Sequence, residues 1–283
     1  MASGLDEARQ QVLANLSALP HQASFGEHRR RLTAAALDAA GARPAPSLCV
    51  LGAGNCFDLD LDALASRFGA IHLIDLDASA LERAFERQSS ATRSRLVLHA
   101  PIDLSGLLDR IDRWWRFQVT PAELMAHPAQ IAGQIQAKLG LRFDVALSSC
   151  MLSQMHLSML NVLTERHPLF DAVHLVLNLT HFHTLAELVH TGGCALLATD
   201  VSSNVLHTLD AHLPGADCRP LLVELVNLGK VFAFADPTRV GAQLSEDPSL
   251  RFAFAAPELR DAWVWDNGPD TKFLVYAASL QRL

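Results

Sequence analysis

Two glycines and two acids, each just behind a short apolar run, are the residues of this sequence best suited to holding a ligand. Val50-Leu51-Gly52-Ala53-Gly54-Asn55-Cys56-Phe57-Asp58 ends such a run in a Gly-x-Gly turn, which lets the backbone bend sharply and bring its N–H groups close to a bound molecule. Asp75 closes the next run, Ile71-His72-Leu73-Ile74, about 20 residues further on, where an acid can accept the hydroxyls of a ribose. Each charge-assisted bond of that kind contributes roughly 1.5–3 kcal/mol. Asp77 fits the N-cap of a helix beginning at residue 78. Asp103, in His99-Ala100-Pro101-Ile102-Asp103-Leu104, can either receive an adenine amino group or cap a helix. The third glycine of a dinucleotide fingerprint would fall at Phe57, whose ring would crowd a pyrophosphate, so a nucleoside without one is the better ligand.

Histidine is abundant, 13 in all. A metal site drawn from His181, His183 and Asp200 is not expected, because residues two apart on a helix point in different directions. His183 and His190 share a face with Glu187, the pattern of a solvated or capping surface. His156 follows the fourth apolar run and is the histidine expected to border an acceptor, as base or contact, with packing as the alternative. Asp200, Ser202 and Ser203 follow the fifth run and face either an acceptor or a loop cap. The run Glu27-His28-Arg29-Arg30-Arg31 either receives an acidic substrate or is a solvated face. Trp114, Trp115, Trp263 and Trp265 offer aromatic walls or ordinary packing.

These residues need elements that bring them to one edge. Continuous apolar runs at 47–51, 71–74, 95–98, 144–147 and 195–198 read as strands buried on both faces. Helical patterns at 58–68, 77–89, 104–116, 152–165 and 172–190 separate them. That alternation predicts right-handed crossovers, a doubly wound parallel sheet, and a ligand crevice outside the carboxyl ends of the strands. Amphipathic helices at 5–19 and 24–40 precede the sheet; Gly41 stops the second, and Pro44 and Pro46 follow. Val231-Phe232-Ala233-Phe234 reads as a strand. Residues 262–265 and 272–276 read as an antiparallel hairpin around Asp266-Asn267-Gly268-Pro269-Asp270-Thr271. Residues 117–142, broken by Pro121 and Pro128, read as a linker, and 236–258 as a long loop or insertion.

At 283 residues, 50% of them apolar, the chain can bury a large core. Thirty acidic against 23 basic residues leave a net charge of −7, which argues against a surface built to grip nucleic-acid phosphates or an anionic membrane. No run approaches the ~18 apolar residues of a membrane span. The stretch Met1-Ala2-Ser3-Gly4-Leu5-Asp6-Glu7 has no basic region leading into an apolar one, so no secretory signal is expected. Cys49, Cys56, Cys150, Cys194 and Cys218 form no Cys-x-x-Cys pair. Free buried thiols in a reducing cytoplasm are expected, rather than a zinc or redox centre.

In this order the motifs resemble those of the class I S-adenosylmethionine-dependent methyltransferases, over residues 47–200. Val50-Leu51-Gly52-Ala53-Gly54-Asn55 is similar to the family's glycine loop, Ile71-His72-Leu73-Ile74-Asp75-Leu76-Asp77 to its ribose-binding segment, and Asp103 stands at the adenine-binding acid. Phe143-Asp144-Val145-Ala146-Leu147-Ser148-Ser149-Cys150-Met151-Leu152 resembles the fourth-strand motif. Thr191-Gly192-Gly193-Cys194-Ala195-Leu196-Leu197 resembles the Pro-Gly-Gly turn into strand five, with Thr191 for proline. The resemblance implies a mostly parallel seven-stranded α/β sheet with an antiparallel C-terminal hairpin. It also implies an N-terminal helical lid over 1–46 and one Rossmann-like domain over 47–283. S-adenosylmethionine is the implied cofactor, S-adenosylhomocysteine the product, with Gly52, Ala53, Gly54, Asn55, Asp75, Leu76, Asp103, Leu104, Ser149 and Cys150 as its binding residues.

Ser149 stands where many relatives carry Asn or Asp, and no Asn-Pro-Pro-Tyr-like motif is present, which disfavours adenine N-methylation. The acidic balance favours a small-molecule acceptor over nucleic acid; no nucleic acid, no membrane partner and no metal are expected, and His156 is the candidate catalytic residue. Two other readings stay open: a methyltransferase-like fold that binds a nucleoside or partner without catalysis, and an NAD-type oxidoreductase. An aminopropyl-transferring relative is more remote, since it carries a richer glycine loop and an aspartate near Ser149.

Overall fold

The computed structural model describes residues 4–160, 163, 166–209, 215–268 and 271–283, with side chains from residue 8. Pro269 and Asp270 of the expected hairpin turn, and 161, 162, 164 and 165 of the expected helix 152–165, lie outside the described residues. In chain order the elements are α1 (Gly4–Ser17), a 3-10 segment (Leu19–Phe25), α2 (Gly26–Ala40), β1 (Ser47–Leu51), α3 (Leu61–Arg67), β2 (Ala70–Ile74), α4 (Ala78–Glu86), α5 (Ser90–Arg93) and β3 (Leu96–His99). There follow α6 (Ile111–Trp115), α7 (Pro121–Leu139), β4 (Phe143–Ser149), α8 (Met151–Leu160), α9 (Phe170–Leu188), β5 (Val189–Ser203), α10 (Arg219–Asn227), α11 (Pro237–Glu246), α12 (Leu250–Ala253), β6 (Glu258–Asp266) and β7 (Lys272–Gln281).

The seven strands form one sheet in the order β3-β2-β1-β4-β5-β7-β6. The first five are parallel; β7 runs antiparallel to β5 and to β6. Leu48, Cys49, Val50 and Leu51 are all fully buried, which is why β1 is apolar throughout rather than alternating. Cys49 and Leu51 join the core on the α7 and α9 side, while Leu48 and Val50 join the core under α2 and α3. The strand order reverses at β1 and β4, and register sets Leu51 beside both Ile74 and Ser148. Gly52, Asp75 and Ser149, each one residue further on, therefore come level at the carboxyl edge, where open α/β sheets bind ligands.

Four expectations are corrected. The supposed linker at 117–142 contains the 19-residue helix α7. Thr120 and Glu123 form a reciprocal capping box at its start, Pro121 occupies the first turn where its missing N–H costs nothing, and Leu124, Ile131, Ile135 and Leu139 bury one stripe. That stripe outweighs the single backbone bond lost at Pro128. The supposed loop at 236–258 holds α11 and α12; Asp236 caps α11 by accepting the Thr238 N–H at 2.8 Å. Only Ile111–Trp115 of the helix expected over 104–116 is helical, because Asp103 ties residues 105 and 108 into a turn. Finally, Val231 to Phe234 is a turn, with Phe232 N–H bonded to Val201 and Ala235 N–H to Phe232. Its apolar alternation belongs to two rings that line a cavity.

Candidate active site

The glycine loop is fixed by the two strands it joins. Gly52 and Ala53 both donate backbone N–H groups to the Ile74 carbonyl, at 3.0 and 3.1 Å. Gly52 has φ +73°, and a Cβ there would overlap the Met151 side chain; both conditions demand glycine. At φ +47°, Gly54 is a second left-handed position, and its N–H donates to Asp75 Oδ2 at 2.8 Å. Asp77 N–H donates to Asp75 Oδ1 at 2.8 Å. Asp75 is 4% exposed, and burial raises its pKa against the opposing pull of these N–H groups. Asp77 caps α4 through the Ala80 N–H and also accepts from Asn15 Nδ2 at 3.0 Å. Asn15 in turn takes the Asn55 Nδ2–H on its carbonyl at 2.7 Å, so α1 lies directly on the glycine loop.

A narrow, mostly apolar cavity opens beyond Asp75. Gly52, Asp75, Leu76, Asp103 and Leu104 line it together with Gln11, Ile102, Met151 and Met155. Asp103 Oδ1 accepts the N–H and hydroxyl of Ser105 at 2.9 and 2.6 Å, and Oδ2 accepts the Leu108 N–H at 3.0 Å. Asp103 is thus the cap of its own turn while its residue borders the cavity.

A second, wider cavity of about 560 Å³ adjoins the first at Gly52. Gly52, Ala53, Gly54, Asn55, Ser149 and Cys150 line it, so all ten residues expected to face the donor border one cavity or the other. Two carboxyls without a sequence-assigned donor role stand among them. Asp58 accepts the Ser149 hydroxyl, and burial pushes its pKa up to about 6. Asp200, 6% exposed, accepts the Ser153 hydroxyl and is likewise pushed up to about 6 by burial. Cys150 sits between them with φ +51°. Burial, then Asp200 and Asp58, push its thiol well above the ordinary range, so it is no thiolate nucleophile.

Rings supply the rest of the wall. Phe232 and Phe234 lie parallel, 5.5 Å apart at 6°. His28 stacks on Trp265 at 4.2 Å, and Phe25 meets Trp265 edge-on at 5.2 Å. Trp263 Nε1–H donates to His28 Nδ1 at 3.1 Å; since indole is only a donor, His28 carries its proton on Nε2. Burial lowers the His28 pKa to about 3, so the ring is neutral.

His156 stands one ring behind this wall, fully buried and stacked on Phe234 at 4.2 Å. Its Nδ1 pairs with His174, and its Nε2 with Asn178 Oδ1 at 2.6 Å. His181 pairs with Ser148 Oγ at 2.7 Å and His183 with Asp247 at 3.2 Å. Among the described residues no three His, Cys, Asp or Glu side chains are grouped to hold a metal ion, and no helix is long and apolar enough to cross a membrane. Sequence reasoning missed Asp58, Phe25, Phe232 and Phe234. Asp58 was within reach, as the acid that ends the glycine loop segment.

No protein-family model matches the chain, and no curated protein does. Among solved structures, TrmN from Thermus thermophilus is 17% identical with a TM-score of 0.42, over 92% of this chain and 52% of its own. The chain thus spans about half the length of the Thermus protein. An O-methyltransferase from Bacillus cereus in complex with S-adenosylhomocysteine is 10% identical with a TM-score of 0.44, over 98% and 91%. A candidate RNA methyltransferase from Pyrococcus horikoshii is 10% identical with a TM-score of 0.40, over 89% and 83%. The strand order, with its antiparallel β7, is the class I methyltransferase fold that the motif order implies. The expectation that nucleic acid is excluded as a partner is corrected, because proteins with this likeness include one described as an RNA methyltransferase. A charge of −7 is a whole-chain average, and it coexists with a local cluster of Arg29, Arg83 and Arg87 around residues 55–57.

Proposed function

We propose that this chain is an S-adenosylmethionine-dependent methyltransferase, that the narrow cavity and the glycine-loop side of the wider one hold the donor, and that the remainder of the wider one holds the acceptor. The observation that carries the reading is Asp75, buried at the end of β2, bound to the Gly54 N–H and bordering the narrow cavity. The residues fit a sulfonium nucleoside. Each Asp75 oxygen accepts one backbone N–H and has a lone pair left for a ribose hydroxyl. Asp103 and Leu104 border an apolar slot suited to adenine. Gly52, Ala53, Gly54, Asn55, Leu76, Ser149 and Cys150 would surround the remainder, and Asp58, on Ser149, would take the donor's amino group. Phe57 fills the place of a third glycine under the Arg87 guanidinium, 4.7 Å from the ring centroid, which disfavours a pyrophosphate.

A bound sulfonium donor supplies an electrophilic methyl carbon, whose bonding electrons stay on sulfur when a nucleophile takes the methyl. The protein's task is then to align the acceptor and exclude water. Residues 1–46 serve as a lid in this reading, supported by the contact of Asn15 with Asp77 and Asn55. Five free, buried cysteines support work in a reducing compartment such as the cytoplasm. Calorimetric titration with S-adenosylmethionine, S-adenosylhomocysteine and NADH checks the proposal. Saturable binding of both sulfur nucleosides and none of NADH is expected; no binding of either by folded, ligand-free protein overturns it.

A further inference from the structure

We propose that the wider cavity receives an organic amine carried on a ring-sized apolar body, and that Asp200 takes the proton of that amine. The inference deepens the methyltransferase reading and rests on it only for what happens to the amine afterwards.

Charge is the first argument. Asp58 and Asp200 both line the cavity, and among the described residues no lysine or arginine does. Arg29 is the cation felt by Asp58, but its guanidinium is bound to the Phe57 and Gln22 carbonyls. Asp200 has no cationic partner among the described residues. His28 is neutral and adds no positive charge. An anion entering here would meet two carboxyls and no counter-charge, whereas a cation would be paired as it leaves water.

Shape is the second. The parallel rings Phe232 and Phe234 and the stacked pair His28 and Trp265 belong to the same cavity. Their faces carry negative potential, attract ammonium groups and stack on flat apolar bodies. Trp265 Nε1–H is buried without a partner among the described residues, a donor to spare for a polar atom of the ligand. Asp58 lies on the glycine-loop side with Ser149, and Asp200 on the β5 side with Ser153, so the second carboxyl falls to the acceptor.

Proton balance follows. An ammonium has no lone pair; it becomes a nucleophile only after one N–H proton passes to the Asp200 carboxylate, leaving a carboxylic acid and a neutral amine. Burial has already raised the proton affinity of Asp200. Desolvation lowers that of the ammonium, and so does any cationic donor held beside Asp58. The two are brought toward each other from both sides.

The test uses the full chain with and without S-adenosylhomocysteine, titrated calorimetrically with phenethylamine, 2-phenylethanol and 3-phenylpropionate. The amine should bind about tenfold more tightly than the alcohol, and the carboxylate should not saturate. Asp200→Asn should abolish the preference for amine over alcohol while S-adenosylhomocysteine affinity stays within about twofold. Phe232→Leu, which keeps apolar volume but removes a π face, should weaken the amine more than the alcohol. A carboxylate that binds as well as the amine, or an unchanged amine preference in folded Asp200→Asn, overturns the proposal. Amine selectivity without binding of S-adenosylhomocysteine would retain the amine site and discard the methyl-donor reading; nucleoside binding without amine selectivity would do the reverse.

Discussion

At the β1–β2–β3 end of the crevice the polar groups are tied down by nearby backbone. Asp75 accepts from Gly54 and Asp77, and Asp103 from Ser105 and Leu108. Toward β4 and β5, Asp58 reaches from the glycine loop to the Ser149 hydroxyl and Asp200 takes the Ser153 hydroxyl, and rings drawn from the two ends of the chain line the same cavity. The first end is thus pre-set by local hydrogen bonding, which offsets part of the cost of burying Asp75. At the second, burial outweighs the bonds offered to Asp58 and Asp200 and pushes both pKa values up to about 6, the mark of groups that a cationic partner would relieve.

The sharpest way to break this comparison is Asp75→Ala. It removes the acceptor of two charge-assisted hydrogen bonds and leaves the Gly54 and Asp77 N–H groups without their carboxylate. S-adenosylhomocysteine affinity should fall about 10–100-fold, and stability should fall with it. Calorimetry and a thermal melt on the same preparation check both; unchanged affinity would reduce Asp75 to a structural cap.

Asp58→Asn and Asp200→Asn should behave in the opposite sense. A carboxyl raised to about 6 in the folded state, against an ordinary 3.8, destabilises the fold once it ionises. The penalty is fully present above pH 6, shrinks as pH falls, and is absent below the unfolded pKa. Each substitution should therefore stabilise the protein by about 2–3 kcal/mol at pH 7.5 and by only about 0.5 kcal/mol at pH 4. Thermal melts across that window measure it. A loss of stability at pH 7.5 would show that the Ser149 and Ser153 bonds outweigh desolvation, and the contrast between the two ends would dissolve.

The same contrast explains what could be read in the sequence. Gly52, Asp75 and Asp103 follow their own strands, where run length, turn residue and spacing point to them, and Ser149 ends β4 within a segment that the family resemblance picks out. Asp200 was legible in the same way, after the fifth run, but the far wall of the wider cavity leaves no such trace, since Phe25, His28, Phe232 and Trp265 meet only through tertiary packing. Phe232 and Phe234 even imitate a strand, because alternating apolar residues also arise where two rings of a turn face one side. In α7 the error ran the other way: two prolines concealed a helix whose Thr120–Glu123 box and apolar stripe were written in plain order. Position along the helix, not the presence of proline, decides its effect.

His156→Ala should have the smallest effect on the site, and it separates the wall from what supports it. The ring lies between His174 and Phe234, at 4.6 and 4.2 Å, and its Nε2 bonds Asn178. Removing it leaves a cavity and an Asn178 oxygen without this partner, a loss of about 2–3 kcal/mol. Burial holds His156 neutral, with its pKa lowered to about 3. Its contribution is therefore complete above pH 6.5 and is lost as pH falls from there toward 3, so the wild-type advantage over the alanine variant should narrow in acid. S-adenosylhomocysteine affinity should be unchanged, since His156 borders neither cavity. Phenethylamine affinity should fall only two- to threefold or so, through a less firmly seated Phe234. A large loss of amine binding with native stability would instead make His156 a direct contact, and the wall would have to be redrawn with the imidazole on its inner face.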